Sequence, residues 1–318
     1  MESLICSRLL TKLNAVPYTI TPLPEEMTSF GEDTPPPVET QVDVDYELPR
    51  GKWHSIASDA KQANDSRLPD VFVDGAVNSV EIAGSPRDNM GYARSIRAGQ
   101  FGVGAISLEN PGQATIRSHF LFAISTMGFT TGQIESLKAD LQNHSRRYEL
   151  ITWEAVSDSY FKTADERELA THDVAIVRNR LRRRVIDFML EREQDLIQRL
   201  AVPVYADGRY GDHQPANAEQ FVVGVIKSMR RRYLDISGMQ ILYNLKLGER
   251  TPAFETESRK EKVISFYARV SPPVGGATHA LVRVELGKMH FEKIQHQDWS
   301  LLDAITAHIT ALITKDRA

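Results

Sequence analysis

The sequence predicts an α/β protein: a mixed β-sheet flanked by helices, preceded by an extended N-terminal arm. Three observations predict it. Two apolar runs, Val71-Phe72-Val73 and Val202-Pro203-Val204-Tyr205-Ala206, each stop on an Asp-Gly pair, Asp74-Gly75 and Asp207-Gly208. Valine, phenylalanine and tyrosine favour buried strands. Between them, a stretch from about Ala164 to Leu200 keeps Ile186, Leu190, Ile197 and Leu200 on one helical face. Ahead of both, Pro22, Pro24, Pro35, Pro36 and Pro37 fall among Glu25, Glu26, Glu32, Asp33 and Glu39, which disfavours regular structure there.

The arm is read as residues 1–66, with a short N-terminal helix, the acidic proline-rich connector and a helix around Trp53 to Ala63. Residues 67–318 form the main domain. A chain of 318 residues with 42% hydrophobic and 25% charged content has enough apolar material for a large core. No apolar run approaches the roughly 20 residues that cross a bilayer. Glu2, Arg8 and Lys12 interrupt the apolar N-terminus and no small-residue cleavage site is clear, so a signal peptide is not expected, and no membrane is expected among the partners. The lone Cys6 excludes an internal disulfide and a cysteine-rich zinc site, and a cytoplasmic setting is expected. The net charge of −4 means that any nucleic-acid binding rests on local basic patches rather than on a global field.

From Val71 the pattern becomes strand-like. Val71 to Asp74 is followed by Ala76 to Ala83 and then Gly99 to Leu108, punctuated by glycines and Ser85-Pro86-Arg87-Asp88-Asn89, as a meander requires. Thr131 to Leu141 has helical spacing. Phe221-Val222-Val223-Gly224-Val225-Ile226 reads as a buried strand closed by Lys227. Val263 to Val270 and His279 to Leu286 read as a hairpin about Ser271-Pro272-Pro273-Val274-Gly275-Gly276-Ala277. A last helix, about Trp299 to Thr314, presents Leu301, Leu302, Ile305, Ile309 and Leu312 on one face.

The chemistry concentrates on carboxylates. Asp74 and Asp207 would emerge at strand ends, and two such groups at one sheet edge can hold a divalent metal. Asp-Gly is equally a frequent turn dipeptide. Glu193 falls on the apolar stripe of the long helix, between Leu190 and Ile197, where a carboxylate needs a partner or a cation. Glu191 points to another face. Arg178, Arg180, Arg182, Arg183 and Arg184 make either a solvated face or a phosphate track. Lys227, with Arg94, Arg97 and Arg230 near the strand ends, offers phosphate contacts. His279 is either structural or a ligand or proton carrier.

The order of these motifs resembles the NurA family of nucleases. It runs Val-Asp-Gly, a hairpin, a long helix with glutamate, Ala-Asp-Gly, Val-Gly-Val-Ile-Lys, a Phe-Tyr strand and then Arg-Val-Glu. The likeness covers roughly Val71 to Leu286. It implies an RNase H-like core and a deoxyribonuclease dependent on Mn²⁺ or Mg²⁺, with exonuclease and single-strand endonuclease activity. It further implies a homodimer that processes DNA ends with a HerA-type hexameric ATPase, in repair or in anti-phage defence. By motif, Asp74 and Asp207 match metal-binding aspartates, and Glu191 or Glu193 the helical glutamate. Spacing favours Glu191 and the core-facing stripe Glu193. Tyr267 and His279 match the late tyrosine and histidine, and Lys227 the strand-closing lysine. Ala76 and Arg209-Tyr210 depart from the pattern beside the aspartates. Two other readings compete: a non-catalytic adaptor that binds DNA or a translocase, and an RNA-directed RNase H-like nuclease.

Overall fold

The protein is described from a computed structural model, which covers residues 16–17, 44–84, 95–108, 110, 114–125, 131–144, 148–153, 166–213, 215, 217, 219–227, 233–258, 261–272 and 280–315. Along the chain the strands are β1 (Val16–Pro17), β2 (Val44–Asp45), β3 (Ile56–Ala57), β4 (Val71–Gly84), β5 (Ser95–Ser107), β6 (Thr115–Ser125) and β7 (Tyr148–Trp153). There follow β8 (Val204–Asp207), β9 (Val222–Ile226), β10 (Glu249–Arg250), β11 (Phe254–Ser258), β12 (Glu261–Arg269) and β13 (Leu281–Gly287). The helices are α1 (Thr131–His144), α2 (Glu166–Leu200), α3 (Ile236–Asn244), α4 (Lys288–Lys293) and α5 (Ser300–Lys315). The expected mixed sheet flanked by helices is present, and the chain divides into two compact units.

The first unit comprises residues 1–30, 75–103 and 116–191. Within it β1 pairs with the far end of β4, Val16 opposite Gly84. β6 and β7 run parallel, with α1 as the crossover between them. Phe101 of β5 stacks on Phe188 of α2 with centroids 6.5 Å apart, burying the strand against the helix. Arg183 and Arg184 are exposed, and the Arg184 guanidinium lies over the Phe188 ring at 4.1 Å.

The second unit comprises residues 31–74, 104–115 and 192–318. Its sheet has the order β2-β11-β12-β13-β9-β8-β4. The first residues of β4 run parallel to β8 and β8 runs parallel to β9, whereas the pairs β9–β13, β13–β12, β12–β11 and β11–β2 are antiparallel. All of β9 is buried, because it is covered on both faces, and its continuous Val-Val-Gly-Val-Ile run is the sequence signature of that position. On one face Leu301, Leu302 and Ile305 of α5 pack with Val223, Val225, Phe266 and Val284. Each fully buried side chain of this kind contributes roughly 1.5–3 kcal/mol. On the other face Tyr267, Phe254 and Leu281 pack with Leu242 and Leu245 of α3 and its exit.

Two sequence expectations are corrected by backbone pairing. The helix around Trp53 to Ala63 is replaced by 3-10 turns at Arg50–Lys52 and Ala60–Asn64, with β3 between them. Ile56 and Ala57 pair instead with Arg250 and Glu249 of β10, and the Asp59 carboxylate caps the second turn at the Lys61 amide. Likewise β4 does not end at Asp74-Gly75 but runs on to Gly84, since the next residues, with Val77, Val80 and Ile82, are themselves strand formers.

Residues 44–57 therefore contribute strands to the sheet of the second unit. A buried arginine fastens them. Arg250, 1% exposed, donates through Nη1 and Nη2 to the two Glu47 oxygens at 2.7 and 2.9 Å, and through Nε to Asp303 at 2.6 Å. The bidentate geometry compensates the guanidinium for its lost water. Burial pushes the Asp303 carboxyl up, although Arg250 beside it pulls the other way.

Candidate functional site

Side chains alternate across a strand, so the register assigns each residue of the parallel trio to a face. Val73 lies opposite Ala206, and Ala206 opposite Gly224. One residue on, Asp74 and Asp207 stand level on neighbouring strands, roughly 4.8 Å apart along the hydrogen-bonding direction, and point to the same face. That face also carries Phe72, Tyr205 and Val225. Asp74 is exposed and Asp207 half-buried. The predicted turn is present at the second aspartate: Gly208 has φ +120°, which a side chain rarely adopts.

Lys227 closes β9 as expected, and its Nζ donates to Asp207 Oδ2 at 3.0 Å. The same ammonium lies 5.5 Å from the centroid of Phe72. Asp74 and Asp207 set two carboxylates side by side next to the Lys227 ammonium, and the carboxylate oxygens are donors of the hard kind that a divalent cation accepts. The donor chemistry fits a hard divalent ion: Mg²⁺ takes one or two carboxylates and keeps several waters. Among the described residues no three His, Cys, Asp or Glu side chains converge as a ready-made metal cage.

Glu193 is elsewhere. It is buried, as its stripe position predicts, at 2% exposure, but its Oε2 meets His213 Nε2 at 2.8 Å. His213 is itself 1% exposed, and its Nδ1 meets the Arg209 carbonyl at 3.1 Å. Both ring nitrogens thus face acceptors, which calls for a doubly protonated imidazolium against the carboxylate. Burial acts to lower the His213 pKa, but the Glu193 hydrogen bond and charge, helped by the Arg209 carbonyl and Asp212, outweigh it and hold the pKa above its ordinary value. His213 Cε1 packs where a Gly208 side chain would begin. Glu285 of β13 is 1% exposed, accepts from the Tyr210 amide at 2.9 Å and pairs with Arg283 Nη2 at 2.7 Å. Arg283 lies over the Tyr233 ring at 4.0 Å. This buried network therefore braces the turn that follows Asp207. It lies on the face of the sheet opposite the Asp207 side chain, since Glu285 is level with Gly224.

The remaining expected site residues are dispersed. Glu191 is exposed on the part of α2 that belongs to the first unit. Tyr267 is 3% exposed, stacked on Phe254 with centroids 5.8 Å apart, and shares its face with Arg283 rather than with Asp207. Arg97 lies in β5, and only its backbone is described. Arg94, Arg230 and His279 lie outside the described residues. Sequence reasoning missed His213, which sits in a polar loop without periodicity. Arg283 and Glu285 did carry a signal: charges two apart in an apolar strand share one face.

Gly224 is the other residue on which the Asp207 turn depends. A Cβ there would come 2.7 Å from the Tyr210 nitrogen and 2.9 Å from the Gly208 oxygen, both backbone atoms. Gly224→Ala is expected to destabilise the protein by about 1–3 kcal/mol, as overpacking does. A denaturant melt checks this, and an unchanged midpoint would contradict the close approach.

Among the described residues no helix is long and apolar enough to cross a membrane. No family model and no curated protein matches the chain. The chain is similar to a solved structure, the NurA nuclease from Sulfolobus solfataricus, at 12% identity and a TM-score of 0.35, over 84% of this chain and 78% of that one. At that identity and score the likeness transfers neither family nor activity.

Proposed function

We propose that the protein is a metal-dependent deoxyribonuclease that hydrolyses phosphodiester bonds at the Asp74–Asp207 edge. The observation that carries this reading is the level placement of the two carboxylates beside Lys227, where the parallel strands β4, β8 and β9 adjoin. The motif order along the chain supports it. Asp74 and Asp207 would hold Mn²⁺ or Mg²⁺, which when bound supplies a water of lowered pKa and offsets charge on the phosphate. Lys227 would bind a non-bridging phosphate oxygen, exchanging Asp207 for the substrate anion. Its contact is to the backbone and reads no base.

In finer detail we propose DNA end processing, exonucleolytic with single-strand endonuclease activity, by a cytoplasmic homodimer working with a HerA-type hexameric translocase in repair or anti-phage defence. The second reading is a non-catalytic adaptor for DNA or a translocase. It is favoured by the commitment of Glu193 to His213. Cleavage of single-stranded DNA, duplex DNA and RNA, each with Mn²⁺, with Mg²⁺ and with EDTA, separates these. The expected result is metal-dependent cutting of DNA that EDTA abolishes. Binding of DNA without cutting under any metal would favour the adaptor, and cutting of RNA alone would favour the ribonuclease.

A further inference from the structure

The face of the second unit that bears Asp74 and Asp207 also holds a cavity of about 410 Å³. Phe72, Tyr205, Val225, Lys227, Leu312 and Ile313 are among the residues that line it. By the alternation of the strands, Phe72, Tyr205 and Val225 stand on the same side as the two aspartates, Val225 level with Asp207 and the two aromatic residues one step deeper into the sheet. The C-terminal turns of α5 close the far wall. We propose that this cavity receives an unpaired nucleobase of the DNA strand whose phosphate is bound at Lys227. The proposal rests on the nuclease reading of the same edge.

Three features of the cavity argue for that occupant, and a property of DNA argues that it is unpaired. The volume falls within the roughly 300–1,000 Å³ of small-ligand pockets, large enough for a base with part of its sugar. Lys227 lines the cavity and also reaches Asp207, so a phosphate exchanged onto its Nζ would place the adjoining nucleoside beside the opening. The walls are mostly aliphatic and aromatic, with Lys227 and Ser271 the polar residues among them, and the Tyr205 hydroxyl is engaged with His308 Nδ1 at 3.0 Å. Such walls accept any base by contact with its faces, which suits binding without sequence preference. Finally, a base held in a duplex would have to unstack and swing out to enter, whereas a single strand offers it at once.

The test measures binding rather than cleavage, in EDTA. It compares a labelled oligothymidylate with an all-abasic strand of the same length, so that the phosphates are equal and only the bases differ. The parent protein is expected to bind the thymidylate about tenfold more tightly or better, the scale of one stacked base. Ile313→Trp, which fills the cavity from α5, is expected to remove most of that difference. Ile313→Ala, which enlarges the cavity, is expected to keep it. If Ile313→Trp does not melt cooperatively, Leu312→Phe takes its place.

Equal binding of both strands by the parent overturns the proposal, as does an undiminished difference in the filled variant. A filled variant that keeps the difference but changes sedimentation mass would assign the cavity to a second copy of the chain, and also overturns it. The nuclease reading fails separately. Base-dependent binding without any metal-dependent cutting keeps the cavity and removes the enzyme. Cutting without base dependence does the reverse.

Discussion

Asp207→Asn is expected to slow metal-dependent DNA cleavage by on the order of 10³-fold, with Asp74→Asn close behind. The substitution keeps the shape of the side chain and leaves an amide oxygen for Lys227, whose Nζ lies 3.0 Å from Oδ2 in the parent. Since Asp74 is exposed and Asp207 half-buried, neither change opens a cavity, and the melting temperature should change little. Binding of single-stranded DNA should be retained or strengthened, because an anion facing the phosphates is gone. The loss therefore belongs to the rate and not to folding or affinity. Paired measurements of cleavage rate and DNA affinity on both variants decide it. Cleavage at parental rate by either variant would remove that aspartate from the chemistry.

Glu193→Ala is expected to cost about 3 kcal/mol, because the buried His213 ring loses its hydrogen-bond partner and the vacated side chain leaves a space. Both side chains are at most 2% exposed, so water cannot replace the lost partner. For a unit of this size the melting temperature should fall by roughly 10 °C. The pair also imposes a pH dependence whose sign follows from His213. Its folded pKa is raised above the ordinary value of 6.5 by Glu193 and the Arg209 carbonyl, which outweigh the opposing effect of burial. The stabilisation is thus complete below about 6.5 and is lost as pH rises from there through the raised folded value. A melting profile of the parent should decline across that window. The same profile of Glu193→Gln, whose neutral amide no longer favours the imidazolium, should be flatter. Identical slopes in the two proteins would show that His213 does not carry the dependence.

Much of this architecture is legible in the sequence for plain reasons. β9 announces itself as a run of buried apolar residues, and Asp207 as the residue before a glycine that must take positive φ. The apolar stripe of α2 correctly buries Glu193, because helical period is a local property. What meets Glu193 is not local: His213 comes from a loop on the far side of a strand, and nothing in its surroundings marks it. The two-residue strands β2 and β3 are illegible for another reason. Their pairing with β11 and β10 is decided by residues some two hundred positions later, while their own segment is polar. Asp74-Gly75 misleads in a third way. The dipeptide favours a turn, but the valines and isoleucine that follow continue the strand.

The fastening of Glu47 to Arg250 bears on how the chain is made. The two residues are 203 positions apart, and the Asp303 that completes the clamp comes later still. At translation rates of about 5–20 residues per second, Glu47 waits roughly 10–40 s on the ribosome before its partner is even synthesised. Throughout that interval β2 and β3 have no strands to join, and the apolar run Val71–Val73 has its β5 neighbour but lacks β8 on the other side. The middle of the future sheet therefore stays uncovered until α5, which lies after every strand of that sheet along the chain, has been made.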